Sequence, residues 1–507
     1  MNILFTGLYP MWHFHYVAEL NYIEDHLNKG DTITQLVCGA DQNCCESNHA
    51  HLLSHCARCI GIRQHGLSLL SHSIKTQPLI HNDFILSWPD NGKFKFKSLA
   101  ELKNLNIEGF DIGYATYSSL VDRLLDTDPD ITQCGSLVNN LLADSYRIFR
   151  TAMKYLKENH YDLVYIFNGR YAAARPWVRA CEIQKVQFVT HERTSSSDRA
   201  IRFSNTLPHY PGHYTERVLQ FWEDAHKDKV ILKEAEDFFE ERPKGKMTGW
   251  VSFIDMQKEN TLPPDWDENL RNVVIFATTE REFVGVQDMT IGYLFSSQEE
   301  AYPCIIQKAL EKDSNLYFTL RIHPNSIKEK VRWWEGKAFQ GLPRCRIIQP
   351  ESSISSYALL FACEKSLCFR SSMGLEATYW GKPSIVLAPP FYGKIDAVYE
   401  PSTIDEAIGL VVARLDPKPK INALKYAAFM RCAGDKLPFS KSINYYTIDF
   451  KGKVLEARRE VHEWLGACEK RPEVTGINKW FRDRCDRLEF NKLWRKCDGW
   501  FAETPKT

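Results

Sequence analysis

The feature that most constrains this chain is the alternation of short apolar runs with helical-period segments between Asn272 and Leu387. The run NVVIFATT opens the series. It continues through a helix around Glu299 to Glu311, a strand Leu316 to Ile322, a Trp-containing helix and a strand Arg346 to Ile348. A helix Ser353 to Cys363, a strand Leu367 to Phe369, a short helix from Ser372 and a strand Ser384 to Leu387 complete it. Apolar runs without polar alternation read as strands buried on both faces, and strands joined by helices run parallel in one open sheet. The same grammar opens the chain. A strand Asn2 to Thr6 ends at Gly7, Val17, Leu20, Ile23 and Leu27 recur at helical spacing up to Gly30, and a strand Thr32 to Cys38 follows. After a polar, Cys/His-rich interruption it resumes with a helix around Ser145 to Glu158, a strand Leu163 to Phe167, a helix after Pro176 and a strand Val186 to Thr190.

Two such series in 507 residues require two cores, because a single core stops growing at roughly 250–300 residues. Residues from about Thr206 to Pro264 are helical, then Pro- and Lys-rich, as a connection between domains would be. The expected division is therefore 1–264, 265–450 and a helical tail 451–507. The tail carries Trp480, Phe481, Trp494 and Trp500 and is expected to pack back across both halves. With 64 basic and 64 acidic side chains, the chain has no overall nucleic-acid footprint. The opening MNILFTGLYP has neither a basic n-region nor a small-residue cleavage site, and no later run of about 18 apolar residues occurs. A cytoplasmic chain is expected.

Ligands of open α/β sheets bind at the carboxyl ends of the strands. One such loop reads FRSSMGLEATYWGKPSIVLAP. Ser371 and Ser372 stand where a helix N-cap would be, and Gly374 and Ala377 leave the first turn open. A start of this kind presents hydroxyls and backbone N–H groups to an anion. Glu376, one turn in, can accept from a ribose or sugar hydroxyl, while an N-capped helix with Gly374 serving close helix–sheet packing is the bland alternative. A second loop, RIHPN, places Arg321 and His323 at another strand end, His323 to donate to a leaving phosphate and Arg321 to add charge or simply to face solvent.

His323-Pro324, the run Ser371 to Ala377, and Gly381-Lys382-Pro383 resemble the C-terminal domain of bacterial capsule and surface-polysaccharide glycosyltransferases. The matching stretch runs from about Val273 to Pro390. The resemblance implies the GT-B architecture, two Rossmann-like domains facing a cleft, with His323, Ser371 and Ser372 on the phosphate of a UDP-, GDP- or CMP-linked sugar. It further implies a glycan or lipid-linked acceptor, no catalytic metal, and at most a peripheral place at the inner membrane. The pattern is shared with UDP-GlcNAc 2-epimerases, so an epimerase remains an alternative, as does a non-catalytic nucleotide- or glycan-binding scaffold.

The first half resembles these enzymes less specifically, through FNGR (Asn168 to Arg170) with Arg175 and through THER (Thr190 to Arg193). Activating an acceptor hydroxyl needs a base at such a strand end. Glu192 and His191 are the candidates, a local structural pair is the alternative, and Asp198 is an outsider.

The segment CGADQNCCESNHAHLLSHCARC reads as an insertion with a structural zinc site. Cys56 and Cys59 would form a hairpin-like pair, with Cys38 and Cys45 completing a tetrahedral set and Cys44, His49, His51 and His55 as alternates. A loop with free thiols, a Cys56/Cys59 redox pair and an iron–sulfur cluster are the other readings.

Overall fold

The computed structural model describes residues 1–84, 94–246, 254, 256–286, 293–444 and 446–457. The tail aromatics Trp480, Phe481, Trp494 and Trp500 lie outside the described residues. The first half runs β1 (Asn2–Phe5), α1 (His13–Asn28), β2 (Thr32–Val37), α2 (Leu53–Ser68), β3 (Lys75–Pro78), α3 (Leu99–Lys103), α4 (Ile112–Leu124), α5 (Gly135–Glu158), β4 (Leu163–Phe167), α6 (Arg175–Gln184), β5 (Phe188–Arg193) and β6 (Arg199–Ser204). Two helices follow, α7 (Gly212–Ala225) and α8 (Lys229–Glu240). The second half runs β7 (Arg271–Phe276), α9 (Arg281–Val284), α10 (Gln298–Lys312), β8 (Leu316–Arg321), β9 (Cys345–Ile348), α11 (Ser356–Ala362), β10 (Lys365–Cys368), α12 (Met373–Tyr379), β11 (Ser384–Val386), α13 (Ile404–Val412) and α14 (Lys420–Cys432). Three two-residue strands close the described chain: β12 (Asp435–Lys436), β13 (Asp449–Phe450) and β14 (Lys453–Val454).

The first sheet has the order β12-β6-β5-β4-β1-β2-β3 and the second β11-β10-β7-β8-β9. β1 to β5 and all five strands of the second sheet pair in parallel, while β6 and β12 add an antiparallel edge. Each sheet is thus wound outward from a central strand and reverses once, between β1 and β4 in the first and between β7 and β10 in the second. This is the α/β class with two Rossmann-like halves, the GT-B architecture expected from the sequence.

Both faces of each sheet are covered, which is why the central strands are apolar throughout. Leu4, Val164 and Ile166 face α4, α5 and α6 on one side, and Ile3, Phe5 and Tyr165 face α1 on the other. In the second sheet Val274 and Phe276 share a core with α7, α8, α12 and α14, and Val273 and Ile275 share one with α10 and α13. Trp222, Phe238 and Phe239 of α7 and α8 are buried in that second-sheet core. At roughly 1.5–3 kcal/mol for each fully buried large side chain, this packing attaches both helices energetically to the second half, although they precede Pro264. The last described segment crosses back. β12 pairs with β6, and Leu437, Ile448, Phe450 and Leu455 pack with α1.

Two readings of the sequence change here. The Cys/His-rich stretch is no separate insertion, because its second part is α2, the crossover helix that joins β2 to the parallel edge strand β3. The expected Trp-containing helix is a pair of single 3-10 turns, Trp333–Glu335 and Lys337–Phe339, with Trp334 buried in the first.

A candidate active site at two strand edges

The carboxyl edge of the first sheet is built from tight turns. Gly7, just past β1, has φ +57°, and a Cβ there would stand 2.3 Å from the Leu36 carbonyl oxygen. Tyr9 also has a positive φ of 57°, an arrangement that costs a bulky residue roughly 1–3 kcal/mol and is held here by its neighbours. Its hydroxyl donates to Glu46, and its ring packs on Trp12, Phe167 and Tyr171. The turn delivers Trp12 to the start of α1 and His15 to its first turn. On the neighbouring strand, β4 ends in Asn168 (φ 60°) and Gly169 (φ 85°).

Asn168 organises this edge. Its Oδ1 accepts from the Arg170 N–H at 3.3 Å, which turns its amide nitrogen toward Glu192 Oε2 at 2.8 Å and His209 Nε2 at 3.2 Å. Glu192, near the end of β5, also accepts from the Arg193 N–H at 2.9 Å, and His15 Nε2 stands 3.6 Å from its Oε1. Burial pushes the Glu192 carboxyl above its ordinary value, outweighing the opposing hydrogen bonds from Arg193 and Asn168 and the charges of Arg170 and Arg193. Burial, aided by Arg193, pushes His15 down to about 3, and burial next to Arg170 and Arg175 pushes His209 well down. A proton-accepting carboxylate is therefore flanked by two neutral imidazoles, with a quarter of its side chain still exposed.

At the second edge, β8 and β10 flank β7, so their ends lie two inter-strand spacings apart, about 9–10 Å. His323 follows β8, and its Nδ1 accepts from the Asn325 N–H at 3.1 Å. Burial, with Arg321 and Arg281 nearby, lowers its pKa to about 4. The ring is thus neutral at pH 7 and carries its proton on Nε2, a donor without a charge. Ser371 follows β10 and is 7% exposed, its Oγ accepting from the Met373 N–H at 3.3 Å. Beside it, the Arg370 guanidinium lies 4.2 Å from the Phe283 ring centroid and 4.8 Å from that of Tyr293. Thr278, Glu280 and Arg370 line a crevice at the β7/β10 reversal. Arg370 and Glu280 were not singled out in the sequence, although the polar Thr-Thr-Glu directly after the buried run of β7 is a usable signal.

The two edges approach one another. A Cβ on Gly285, just past α9, would stand 2.9 Å from Ser118 Oγ and 3.1 Å from an Arg170 guanidinium nitrogen. Phe391 bridges Phe283 (5.6 Å) and Tyr214 (4.8 Å), and Tyr214 lies within electrostatic reach of Glu192.

Several expected site residues do other work. His191 is fully buried between Tyr22 and Phe167, neither ring nitrogen has a partner, and burial pushes it down to about 3, so it cannot meet an acceptor. Arg321 is 2% exposed and donates to the carbonyls of Gln349 and Ser352 and to Ser356 Oγ, clamping β8 to the loop after β9. It is neither a surface charge nor directed at a phosphate. Glu376 is 1% exposed, accepts from Tyr357 and Ser372, and pairs with Arg242 Nε at 3.2 Å, so its oxygens are committed within the protein. A Cβ on Gly374 would lie 2.7 Å from Tyr392 Oη, which makes this glycine a helix–sheet packing residue. Arg175 is buried on Asp111, and Asp198 accepts from Ser196 in the β5–β6 turn.

The zinc reading is also corrected. Among the described residues no three His, Cys, Asp or Glu side chains come together to hold a metal ion. Cys56 and Cys59 lie one turn apart on α2 and form no hairpin. Cys38 is approached by Gln42 Nε2 at 3.4 Å, Cys45 by Ser47 Oγ at 3.2 Å and Cys56 by Asn48 Nδ2 at 3.3 Å. Burial pushes the Cys45 thiol up to about 11 and that of Cys59 to about 12.

Among the described residues no helix is long and apolar enough to cross a membrane. No family model and no curated protein sequence matches the chain. Among solved structures it is similar to KpsC, beta Kdo 2,4 transferase, of Thermosulfurimonas dismutans, at 14% identity and a TM-score of 0.36 over 60% of this chain and 87% of that one. It is also similar to the UDP-GlcNAc 2-epimerase from Neisseria meningitidis bound to UDP-GlcNAc, at 11% identity and a TM-score of 0.25 over 84% and 98%. The spinosyn rhamnosyltransferase SpnG matches at 12% identity and a TM-score of 0.26 over 85% and 95%. The two-sheet architecture rests on this chain's own strand order and registers.

Proposed function

We propose that this chain is a glycosyltransferase that moves a sugar from a nucleotide-sugar donor, held at the second edge, to a hydroxyl of a glycan or lipid-linked acceptor presented at the first. The observation that carries the reading is the division of chemistry between two like-wound sheets. One edge holds a carboxylate of raised pKa beside neutral imidazoles, and the other holds a neutral imidazole donor and the Ser371 hydroxyl beside an arginine. Residues 1–264 supply the acceptor half and 265–450 the donor half, with α7 and α8 riding on the latter.

In the reaction, Glu192 takes the proton of the acceptor hydroxyl as its oxygen attacks the anomeric carbon. A new C–O bond forms there as the bond to the donor phosphate breaks, and the electron pair leaves with the nucleotide. The Ser372 hydroxyl, expected at the phosphate from the sequence, donates to Glu376 at 3.3 Å instead. His323 Nε2–H, Ser371 and Arg370 hold the departing phosphate, so that charge is met by preorganised donors. Asn168 fixes the carboxylate's direction. Burial raises the proton affinity of Glu192, which favours proton transfer but requires a pH above its raised pKa for the ionised form. Transfer should therefore fall on the acid side from a higher pH than an ordinary carboxylate would give.

The test is nucleotide release from UDP-, GDP- and CMP-sugars with and without oligosaccharide acceptors. Release that needs an acceptor and disappears in Glu192→Gln is the expected result. Conversion of the donor sugar without an acceptor would replace this reading by an epimerase, and nucleotide binding without any turnover would replace it by a scaffold.

A further inference from the structure

Trp12 stands at the first edge in a placement that the proton-transfer chemistry does not use. It is only partly buried, unlike Trp177 and Trp334, which are core residues. Three rings fix its orientation: Tyr9 at 4.5 Å, Phe167 at 5.5 Å and Tyr171 at 5.7 Å. Its indole N–H makes no hydrogen bond to any described residue. The residue that aims it, Tyr9, holds a left-handed backbone and donates a partly buried hydrogen bond to Glu46, and the Trp12 backbone N–H closes the turn onto the Tyr9 carbonyl at 2.9 Å. Strained backbone of this kind persists where the surrounding structure over-determines it, and it concentrates at ligand-binding and catalytic positions.

The Phe167 ring that packs against Trp12 also packs against His15, at 4.2 Å, and His15 Nε2 stands 3.6 Å from Glu192. A rigid aromatic surface with a spare N–H donor therefore shares the Phe167 ring with the histidine that reaches the base. The face of an aromatic ring is electron-rich and apolar, which suits the C–H face of a pyranose, and an indole N–H suits one of its hydroxyls. The geometry points to Trp12 as the acceptor platform: a neutral saccharide ring stacks on it and thereby presents its hydroxyl to Glu192. This rests on the glycosyltransferase reading and narrows it, because the group docking next to the base is a sugar ring and not a lipid phosphate or a peptide.

Saturation-transfer NMR on the full chain tests this, with methyl β-glucoside, lactose and chitobiose as sugar probes and decyl phosphate as the lipid-phosphate probe. Irradiating the protein's aromatic resonances should saturate the ring C–H protons of at least one sugar. The Trp12→Ala variant should bind that sugar at least tenfold more weakly, while Trp12→Phe, which keeps a stacking face and fills the same aromatic cluster, should stay within about threefold. Melting curves in the presence of UDP, GDP and CMP follow the donor site in the same samples. Sugar binding unchanged in Trp12→Ala, no sugar saturated in the wild type, or decyl phosphate displacing the sugars at equal concentration would each overturn the platform. Loss of nucleotide-dependent stabilisation in the wild type with sugar contact intact would instead overturn the donor reading and leave the platform standing.

Discussion

At the first sheet's carboxyl edge, burial holds the titratable groups in uncharged or proton-hungry states, and tight turns at Gly7, Tyr9 and Asn168 aim them outward. At the second edge the charges are mostly tied inward, Arg321 to carbonyls and Glu376 to Arg242, Tyr357 and Ser372, leaving a neutral imidazole and the nearly buried Ser371 hydroxyl as uncharged donors. Two sheets of the same winding thus carry different chemistry, because identical topology positions strand ends without choosing what stands on them. An edge of strained turns and desolvated acids suits proton transfer. An edge of locked charges and fixed donors suits holding a ligand whose charge does not change sign.

Four substitutions would break or sharpen this contrast. The largest effect is expected for Glu192→Gln, which should lower turnover about 10²- to 10⁴-fold while leaving nucleotide-dependent stabilisation intact. Next is Glu376→Ala, which leaves Arg242 without its buried partner and should cost about 3 kcal/mol in urea denaturation. A Glu376 that served only as a sugar contact would leave stability unchanged.

Third, Glu19 lies behind the Gly7 turn, accepts from the Gly7 N–H at 2.9 Å and Gln35 Nε2 at 3.0 Å, and is raised by burial from 4.5 to about 7. A carboxyl raised in the folded state contributes its full stability below pH 4.5 and loses it as pH rises through about 7. Glu19→Gln should therefore remove about 2 kcal/mol of the stability lost between pH 5 and pH 8, as read from denaturation at both values. The smallest effect belongs to His191→Phe. His191 is depressed from 6.5 to about 3, so its contribution is intact above pH 6.5 and lost as pH falls toward 3. The variant should match wild-type turnover and stay within about 1 kcal/mol at pH 7, while resisting acid better than the wild type. Loss of turnover in His191→Phe would return the base assignment to that residue.

The strands with continuous apolar runs, β1, β4, β7, β8 and β10, were legible because both their faces are buried. Strand β3, Lys75–Pro78, was not, since it is a polar edge strand with no apolar run to show. Helix α2 was masked by Cys and His residues standing among its buried Ala57, Ile60 and Ile62. Of the candidate site, only the strand-end positions were legible. The Ser371-Ser372 and His323 loops fall at strand ends, where their motif placed them, but the partners that commit Glu376 and Arg321 come from 130 or so residues upstream and from the β9–α11 loop, and no local pattern announces them. His15 was invisible for the same reason: its bearing on Glu192 spans three strands of the sheet.

The most direct test of the division between the edges is calorimetric titration of UDP, GDP and CMP into the wild type, His323→Ala, Ser371→Ala, Glu192→Gln and Trp12→Phe. One nucleotide should bind the wild type, weaken at least tenfold in His323→Ala and Ser371→Ala, and change less than about twofold in the two first-edge variants. Nucleotide binding that survives both second-edge substitutions but fails in Glu192→Gln would contradict the account.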